Sequence, residues 1–448
     1  MARAASRRTV LGAALAAATA VAAPRASAAG PVRAPAGAPP AVGNRFWSTY
    51  TDWRGGRTEG TRVLPSLRPG LVIGAPVGTV ARTDPHTGRS EPWEYAVWTS
   101  PWHRPAVPAT EAVASWNART PPGTWLRAEL SARYGDGTRT PWFTMGCWAS
   151  GDEDIRRTSV GGQGDGRASV HTDTLVVDDP AAGTRFAALR LRLTLHRRPG
   201  TGATPLVWRA GAMTSCVPDR SGVPAEEPRV AGELVLPAYS QNVHTGRYPE
   251  YDGGGEAWCS PACSQMVVEY WGRRPGADDL AWVDPAYGDP QVCHAARATY
   301  DHGYQGCGNW AFNTAYAASY PGLAAVVTRL GSMADLERLI AAGIPVIASL
   351  SFKQEELTGA GYGTAGHLMT VVGFSAAGDV IAHDPAAPDD AGVRRVYRRS
   401  EWAPLWLRTR RRGPEGRTLP GPGGVCYLVW PARATHAQRA ALAAAGVR

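Results

Sequence analysis

The chain of 448 residues has almost no lysine: Lys353 is the only one, and every other basic residue is arginine. No run of five Lys or Arg occurs, and the densest basic cluster is Arg408, Arg410, Arg411 and Arg412. A formal net charge of +9 spread this thinly reflects arginine-rich usage and marks no nucleic-acid face. Past the amino terminus no stretch offers about 18 uninterrupted apolar residues, so a transmembrane helix is not expected in the mature chain. Charged residues are 19% against 44% hydrophobic, which excludes a wholly disordered chain. The 52 Gly and 37 Pro point to many turns and short elements. Cysteine is scarce and odd in number: with seven, at least one stays outside any intramolecular disulfide set.

Residues 1–28 read as an export signal. Ser6-Arg7-Arg8-Thr9-Val10-Leu11 is a twin-arginine pattern, an Ala-rich stretch follows, and Ala26-Ser27-Ala28 supplies a cleavage site. Loss of Arg3, Arg7, Arg8 and Arg25 takes the charge from +9 to +5. The mature protein is therefore expected to be secreted or extracytoplasmic.

Length predicts two or three domains, each with its own core. Residues 29–43, rich in Pro, Ala and Gly, read as a flexible lead-in. From 44 to 220 the hydrophobic period is two. Leu126, Ala128, Leu130, Ala132 and Tyr134 share one strand face; Trp125, Arg127, Glu129, Ser131 and Arg133 share the other. Leu191, Leu193 and Leu195 alternate in the same way. Short strands between Gly/Asp turns, without a convincing helix, predict an antiparallel β-sandwich. Residues 221–232 read as a linker. Helices are then expected over Pro261–Tyr270, Asn309–Ala318 and Met333–Ala342, the last capped by Ser332 and stopped by Gly343. Strands are expected over Pro345–Ser351, Leu368–Phe374, Val380–His383 and Val425–Trp430. This is an α+β domain over 233–431, followed by a tail over 432–448.

Cys259 opens the first of these helices, in Gly255-Glu256-Ala257-Trp258-Cys259-Ser260-Pro261-Ala262-Cys263. A thiol at a helix N-terminus feels the positive end of the macrodipole, which favours the thiolate a nucleophile needs. A buried small residue or half of a disulfide is the competing reading. Trp258 is a candidate for lining the cleft. A base must come from elsewhere, and Gly366-His367-Leu368 puts a histidine at the mouth of a strand. The next strand ends at His383-Asp384-Pro385. A hairpin turning at Ser375–Gly378 would bring Asp384 beside His367, where a carboxylate could orient the imidazole.

These residues carry a resemblance. Trp258-Cys259-Ser260-Pro261-Ala262, Gly366-His367-Leu368-Met369-Thr370-Val371-Val372-Gly373-Phe374 and His383-Asp384-Pro385-Ala386 look like the cysteine peptidase family 39-like domain. That group is related to bacteriocin-leader-processing peptidases and has a papain-like fold. Gly308–Ala317 and Ala342–Val346 also resemble its secreted actinobacterial members. The resemblance covers residues 233–431 and implies an exported cysteine peptidase working through an acyl-enzyme. It assigns Cys259 as nucleophile, His367 as general base, Asp384 as orienting residue and Gln241 as oxyanion donor. Ser260 stands where the family commonly has Gly, which would crowd the approach; Ser260 and Gly366 join Trp258 as cleft candidates. The implied partner is a peptide or protein substrate, cell-wall associated among the options, with no cofactor and no nucleic acid. Two alternatives stand beside this reading: a non-catalytic surface or glycan-binding protein using the sandwich through Trp125 and Arg127, and an NlpC-type endopeptidase oriented by His383.

With Cys259 set aside, six cysteines remain, two in the first body and four in the second, an even number in each. The expected pairs are Cys147–Cys216, Cys293–Cys307 and, by elimination, Cys263–Cys426. Cys293, His294, His302 and Cys307 fit no closed zinc motif, and the export signal favours disulfides. Gly161–Gly166 reads as a hairpin loop, since no helical pattern follows it. Asp152, Glu153 and Asp154 read as a solvated turn.

Overall fold

The computed structural model describes residues 40–413 and 417–447. The export signal and most of the lead-in therefore lie outside the described residues; the first strand, Ala41–Trp47, begins inside the segment read as a loose lead-in.

Up to Cys216 the chain builds two antiparallel sheets. One joins the strands Ala41–Trp47, Thr61–Leu64, Gly70–Ile73, Glu111–Arg119, Ala168–His171, Thr174–Val177 and Leu206–Cys216. The other joins Arg57–Glu59, Gly78–Thr83, Ser90–Thr99, Thr124–Tyr134, Phe143–Trp148 and Phe186–Arg197. Period-two alternation does what it predicts: Leu126, Ala128, Leu130, Ala132 and Tyr134 meet Leu189, Leu191, Leu193 and Leu195 in one core. Trp116, Ala118, Val207 and Ala210 of the first sheet enter the same core. Among the described residues here the only α-helix is one short turn, Tyr50–Arg54, held by a Thr49/Asp52 capping box, with a 3-10 turn at Pro180–Ala182.

Residues 221–231 form no regular element, as the linker reading expects. The linker is nonetheless anchored, because the Glu226 carboxylate accepts from the Met333 and Ala334 N–H groups at a helix start. A third antiparallel sheet follows, in the order Leu323–Arg329, Val425–Pro431, Val346–Phe352, Thr364–Phe374, Val380–His383, Arg394–Tyr397. Helices cover both of its faces. Cys259–Tyr270 and Pro290–Thr299 pack on one; Met333–Ala341, Arg399–Leu407 and His436–Ala444 pack on the other. The helix starts follow local chemistry: Ser332 Oγ accepts from Asp335 N, and Asn309 Oδ1 accepts from Phe312 N at the head of Trp310–Ser319.

The hydrophobic core does not stop at the linker. Ala311, Phe312, Ala315 and Tyr316 join the core of the first two sheets, with the Phe312 ring 6.1 Å from Trp116 and 5.4 Å from Trp148. Strand Leu323–Arg329 lies at an edge of the third sheet, and side chains from the first half close its outer backbone groups. Asn117 donates to Ala325 O (2.7 Å) and accepts from Ala325 N (3.2 Å), Ser115 Oγ accepts from Val327 N (3.0 Å), and Arg68 donates to Leu323 O (2.6 Å). The strand and the Pro290–Thr299 helix have no counterpart in the sequence reading.

The disulfide expectations are corrected, since no disulfide forms among the described residues. Cys147 faces away from the core of the two sheets, beside Trp93 and Trp125, while Cys216 ends a strand of the opposite sheet. Cys263 and Cys426 lie on opposite faces of the third sheet, which separates them. Cys293 Sγ is 3.5 Å from His244 Nδ1, and Cys307 Sγ donates to Ala296 O. Trp125 is also corrected as an exposed binding residue. It is 1% exposed, stacked on His196 at 3.7 Å with the Arg82 guanidinium over it. Its face of the strand is outward, but a second layer of chain covers that end of the sheet. Asp152 is no solvated turn residue, because it takes two hydrogen bonds from Arg297 (2.9 and 2.8 Å).

Candidate active site

Two strands and one helix assemble the site. Thr364–Phe374 and Val380–His383 pair antiparallel with Thr370 opposite His383, turning where Ser375 N donates to Asp379 O and Gly378 adopts φ +83°. The hairpin sets Asp384 beside His367, with His367 Nε2 2.9 Å from Asp384 Oδ1. That contact leaves Nδ1 as the ring nitrogen for the Cys259 thiol, to which His367 is also hydrogen-bonded. Cys259 is the first residue of its helix, which packs through Ala262, Cys263 and Met266 against Leu368 and Val372 of the histidine strand. Cys259, His367 and Asp384, far apart in sequence, are thus brought together.

Asp384 is fully buried and receives four donors: His367, Tyr362 OH (3.1 and 3.0 Å to the two oxygens), Tyr397 OH (2.7 Å) and Ala386 N (3.0 Å). Burial pushes this carboxyl up, but the bonds from His367, Tyr397 and Ala386 N outweigh it and hold it at about 2. Burial likewise pulls the His367 imidazole down. Negative charge on Cys259, then the bond to Asp384, overcome this and raise it to about 9. The ring is therefore favoured in its imidazolium form, with the Asp384 carboxylate on one side and Cys259 on the other.

Gln241 enters from the segment after the linker. Its N–H donates to Pro385 O (2.8 Å), Ser240 N donates to Asp390 and Asn242 Nδ2 to Ala386 O, so the loop following Asp384 holds the glutamine in place. Gln241 Nε2 donates to Glu256 O at 2.5 Å, in the loop that leads into Cys259. A primary amide has two N–H groups, and one remains for another acceptor. Gly255 allows this approach, since a Cβ there would strike Gln241 O and the His244 backbone.

Three cleft expectations need correction or refinement. Trp258 is 0% exposed, its Nε1 donating to Tyr251 O and its ring against His244. Ser260 is equally buried, its hydroxyl 3.0 Å from Tyr427 OH beneath the helix, so it does not crowd the approach to the thiol. Gly366 alone of the three is partly exposed, next to His367. His383 turns away from the pair, its Nδ1 3.1 Å from Pro237 O, and does not orient His367. Cys293 and His294 serve separate partners, His294 Nδ1 facing Asp279 O.

Sequence reading missed Tyr362 and Tyr397. Tyr362 stands edge-on to the His367 ring at 5.5 Å, in Gly359-Ala360-Gly361-Tyr362-Gly363, where Gly359 and Gly361 have φ of +90° and +80°. A tyrosine isolated among glycines five residues before the histidine was the available signal. Tyr397 had none, because only the fold carries its hydroxyl to Asp384.

Residues 43–215 match the family model described as the Peptidase C39 N-terminal domain, and residues 233–414 match that of the Peptidase C39 like family. A solved structure described as a C39-like peptidase from Bacillus anthracis is similar at 16% identity. It covers 47% of this chain and 100% of its own, with a TM-score of 0.29. No curated protein matches the sequence.

Proposed function

Because the chain couples a C39 N-terminal domain to a C39-like peptidase domain, we propose that it is an exported cysteine peptidase with its active site at Cys259, His367 and Asp384. The first region is read as a β-sandwich and the second as a papain-like body. One observation carries this reading: a single imidazole hydrogen-bonded to a thiol at a helix start and to a buried carboxylate.

In this mechanism the Cys259 thiolate attacks the carbonyl carbon of a peptide bond. The carbonyl oxygen gains charge, met by the Cys259 backbone N–H and the second Nε2 hydrogen of Gln241. His367 gives its proton to the departing amine as the C–N bond breaks, leaving a thioester on Cys259. Asp384 keeps the ring in the tautomer and orientation this transfer needs, and stabilises its cationic form. A water then attacks the thioester while His367 takes one of its protons; the C–S bond breaks, restoring thiolate and imidazolium, and the product leaves as the carboxylic acid, which gives its proton to solvent.

Cys259 and His367 are 2% and 4% exposed. The test is labelling by an electrophilic cysteine probe together with hydrolysis of a peptide library. Wild type should be modified at Cys259 and release new amino termini, and Cys259→Ala should do neither. Equal labelling and hydrolysis in the two proteins would refute the assignment. Loss of labelling in Cys259→Ala without any hydrolysis by wild type would favour a non-catalytic scaffold.

A further inference from the structure

The outer face of the second sheet carries charge that the candidate active site does not use. On strand Phe186–Arg197 the leucines turn into the core, which sends Arg190 and Arg192 outward; on the neighbouring strand Arg133 turns the same way. These arginines interleave with two partly exposed tryptophans. Arg190 Cζ lies 4.5 Å from the Trp102 ring centroid and 4.5 Å from that of Trp142. Arg133 and Arg139 approach Trp102 at 4.6 and 5.6 Å, and Arg192 approaches Trp142 at 4.3 Å.

Arg192 has a counter-ion in Glu129, at 2.7 and 2.8 Å. Arg133, Arg139 and Arg190 form no ion pair among the described residues, and the buried Nε atoms of Arg133 and Arg190 have no hydrogen-bond partner. Burial, then repulsion from Arg139, Arg192 and Arg133, makes the Arg190 guanidinium easier to deprotonate than usual. Like charges gathered without a counter-ion destabilise the fold, and an anion supplied from outside relieves them. The rings fix the guanidinium planes in advance, so little rotamer freedom is lost when a ligand binds.

We propose that this face is a docking site for an acidic polysaccharide, whose carboxylates are taken by the forks of Arg133, Arg139 and Arg190. Guanidinium forks match carboxylates in paired, charge-assisted hydrogen bonds. A flat sheet face with arginines spaced along adjacent strands suits an extended polymer of repeating charge. A single-stranded nucleic acid fits less well, because its bases need aromatic platforms and these rings are already engaged by guanidinia. The site is independent of the catalytic reading.

Titration calorimetry of the full chain with polygalacturonate oligomers tests the site, with neutral dextran and oligo-dT as comparison ligands. Polygalacturonate should bind, weaken steeply with added salt, and outcompete both comparison ligands. Arg133→Gln with Arg190→Gln should cost at least about tenfold in affinity. Arg139→Gln alone, at an exposed position, should cost several-fold without moving the melting temperature; Arg54→Gln, away from this face, should change nothing. Absence of binding at low salt, equal binding of dextran, or unchanged affinity in the Arg139 variant would overturn the proposal. Tighter binding of oligo-dT would overturn it in favour of a nucleic-acid face.

Discussion

Replacement of Asp384 by asparagine isolates the central electrostatic feature of the site with almost no change of volume. The folded carboxyl sits at about 2, against an ordinary 3.8. A depression of that size stabilises the fold by roughly 2 kcal/mol at pH values above the unfolded carboxyl's titration. The stabilisation is lost as pH falls through about 2, where the native carboxylate takes up its proton. At the alkaline side the partner decides. His367 is raised from 6.5 to about 9, so the ion pair is complete below 6.5 and fades as pH climbs through 9. The two shifts describe one shared interaction and do not add. Urea unfolding should therefore show a gap between wild type and Asp384→Asn of roughly 2 kcal/mol from about pH 4 to 6.5. The gap should narrow on both sides of that window. In the variant, the His367 ring signal followed by NMR should titrate well below 9, and turnover at neutral pH should fall by roughly 10²–10⁴ because an amide favours the wrong tautomer. A gap independent of pH, or a His367 whose titration does not move down from about 9 in the variant, would refute the assignment of Asp384 as a group that, beside Cys259, raises the imidazole.

Two further changes probe the parts around that pair. Gln241→Ala should lower kcat by roughly 10²–10³ with KM nearly unchanged, the signature of a donor used in the transition state; a change in KM alone would exclude that role. Phe312→Ala removes the ring wedged between Trp116 and Trp148 and should cost roughly 3–5 kcal/mol. Because that ring belongs to the first two sheets' core, calorimetry should still give one unfolding transition, shifted down for both halves together; two separated transitions would show independent cores.

The site was readable from sequence wherever a local rule fixed it. Pro261 and the glycine loop announced a helix with Cys259 at its start, and the Ser375–Gly378 turn set the hairpin that joins His367 to Asp384. Alternation located the core face of Thr124–Tyr134 correctly but could not say what lies over the other face, so Trp125 looked exposed. The paired cysteines failed for a related reason. Parity counts thiols without knowing on which side of a sheet each one points, and alternation along Val425–Pro431 sends Cys426 away from Cys263. Trp258 and Ser260 are neighbours of Cys259 in sequence, yet the local backbone turns both inward. Asp384's tyrosine donors depend on folding at long range, which no short window of sequence contains.

Strand Leu323–Arg329 ends its sheet against Arg68, Ser115 and Asn117, with polar side chains where another strand would otherwise pair. An uncovered ladder of this kind is a template for strand addition between molecules. Cutting the chain at the linker would uncover it and also strip Phe312 of its aromatic neighbours. A fragment beginning after the linker should accordingly self-associate in concentration-dependent fashion, and adding back the N-terminal half should suppress this. The N-terminal half thus covers an edge that the half carrying Cys259 would otherwise expose, and the two are better produced, engineered and compared as one piece.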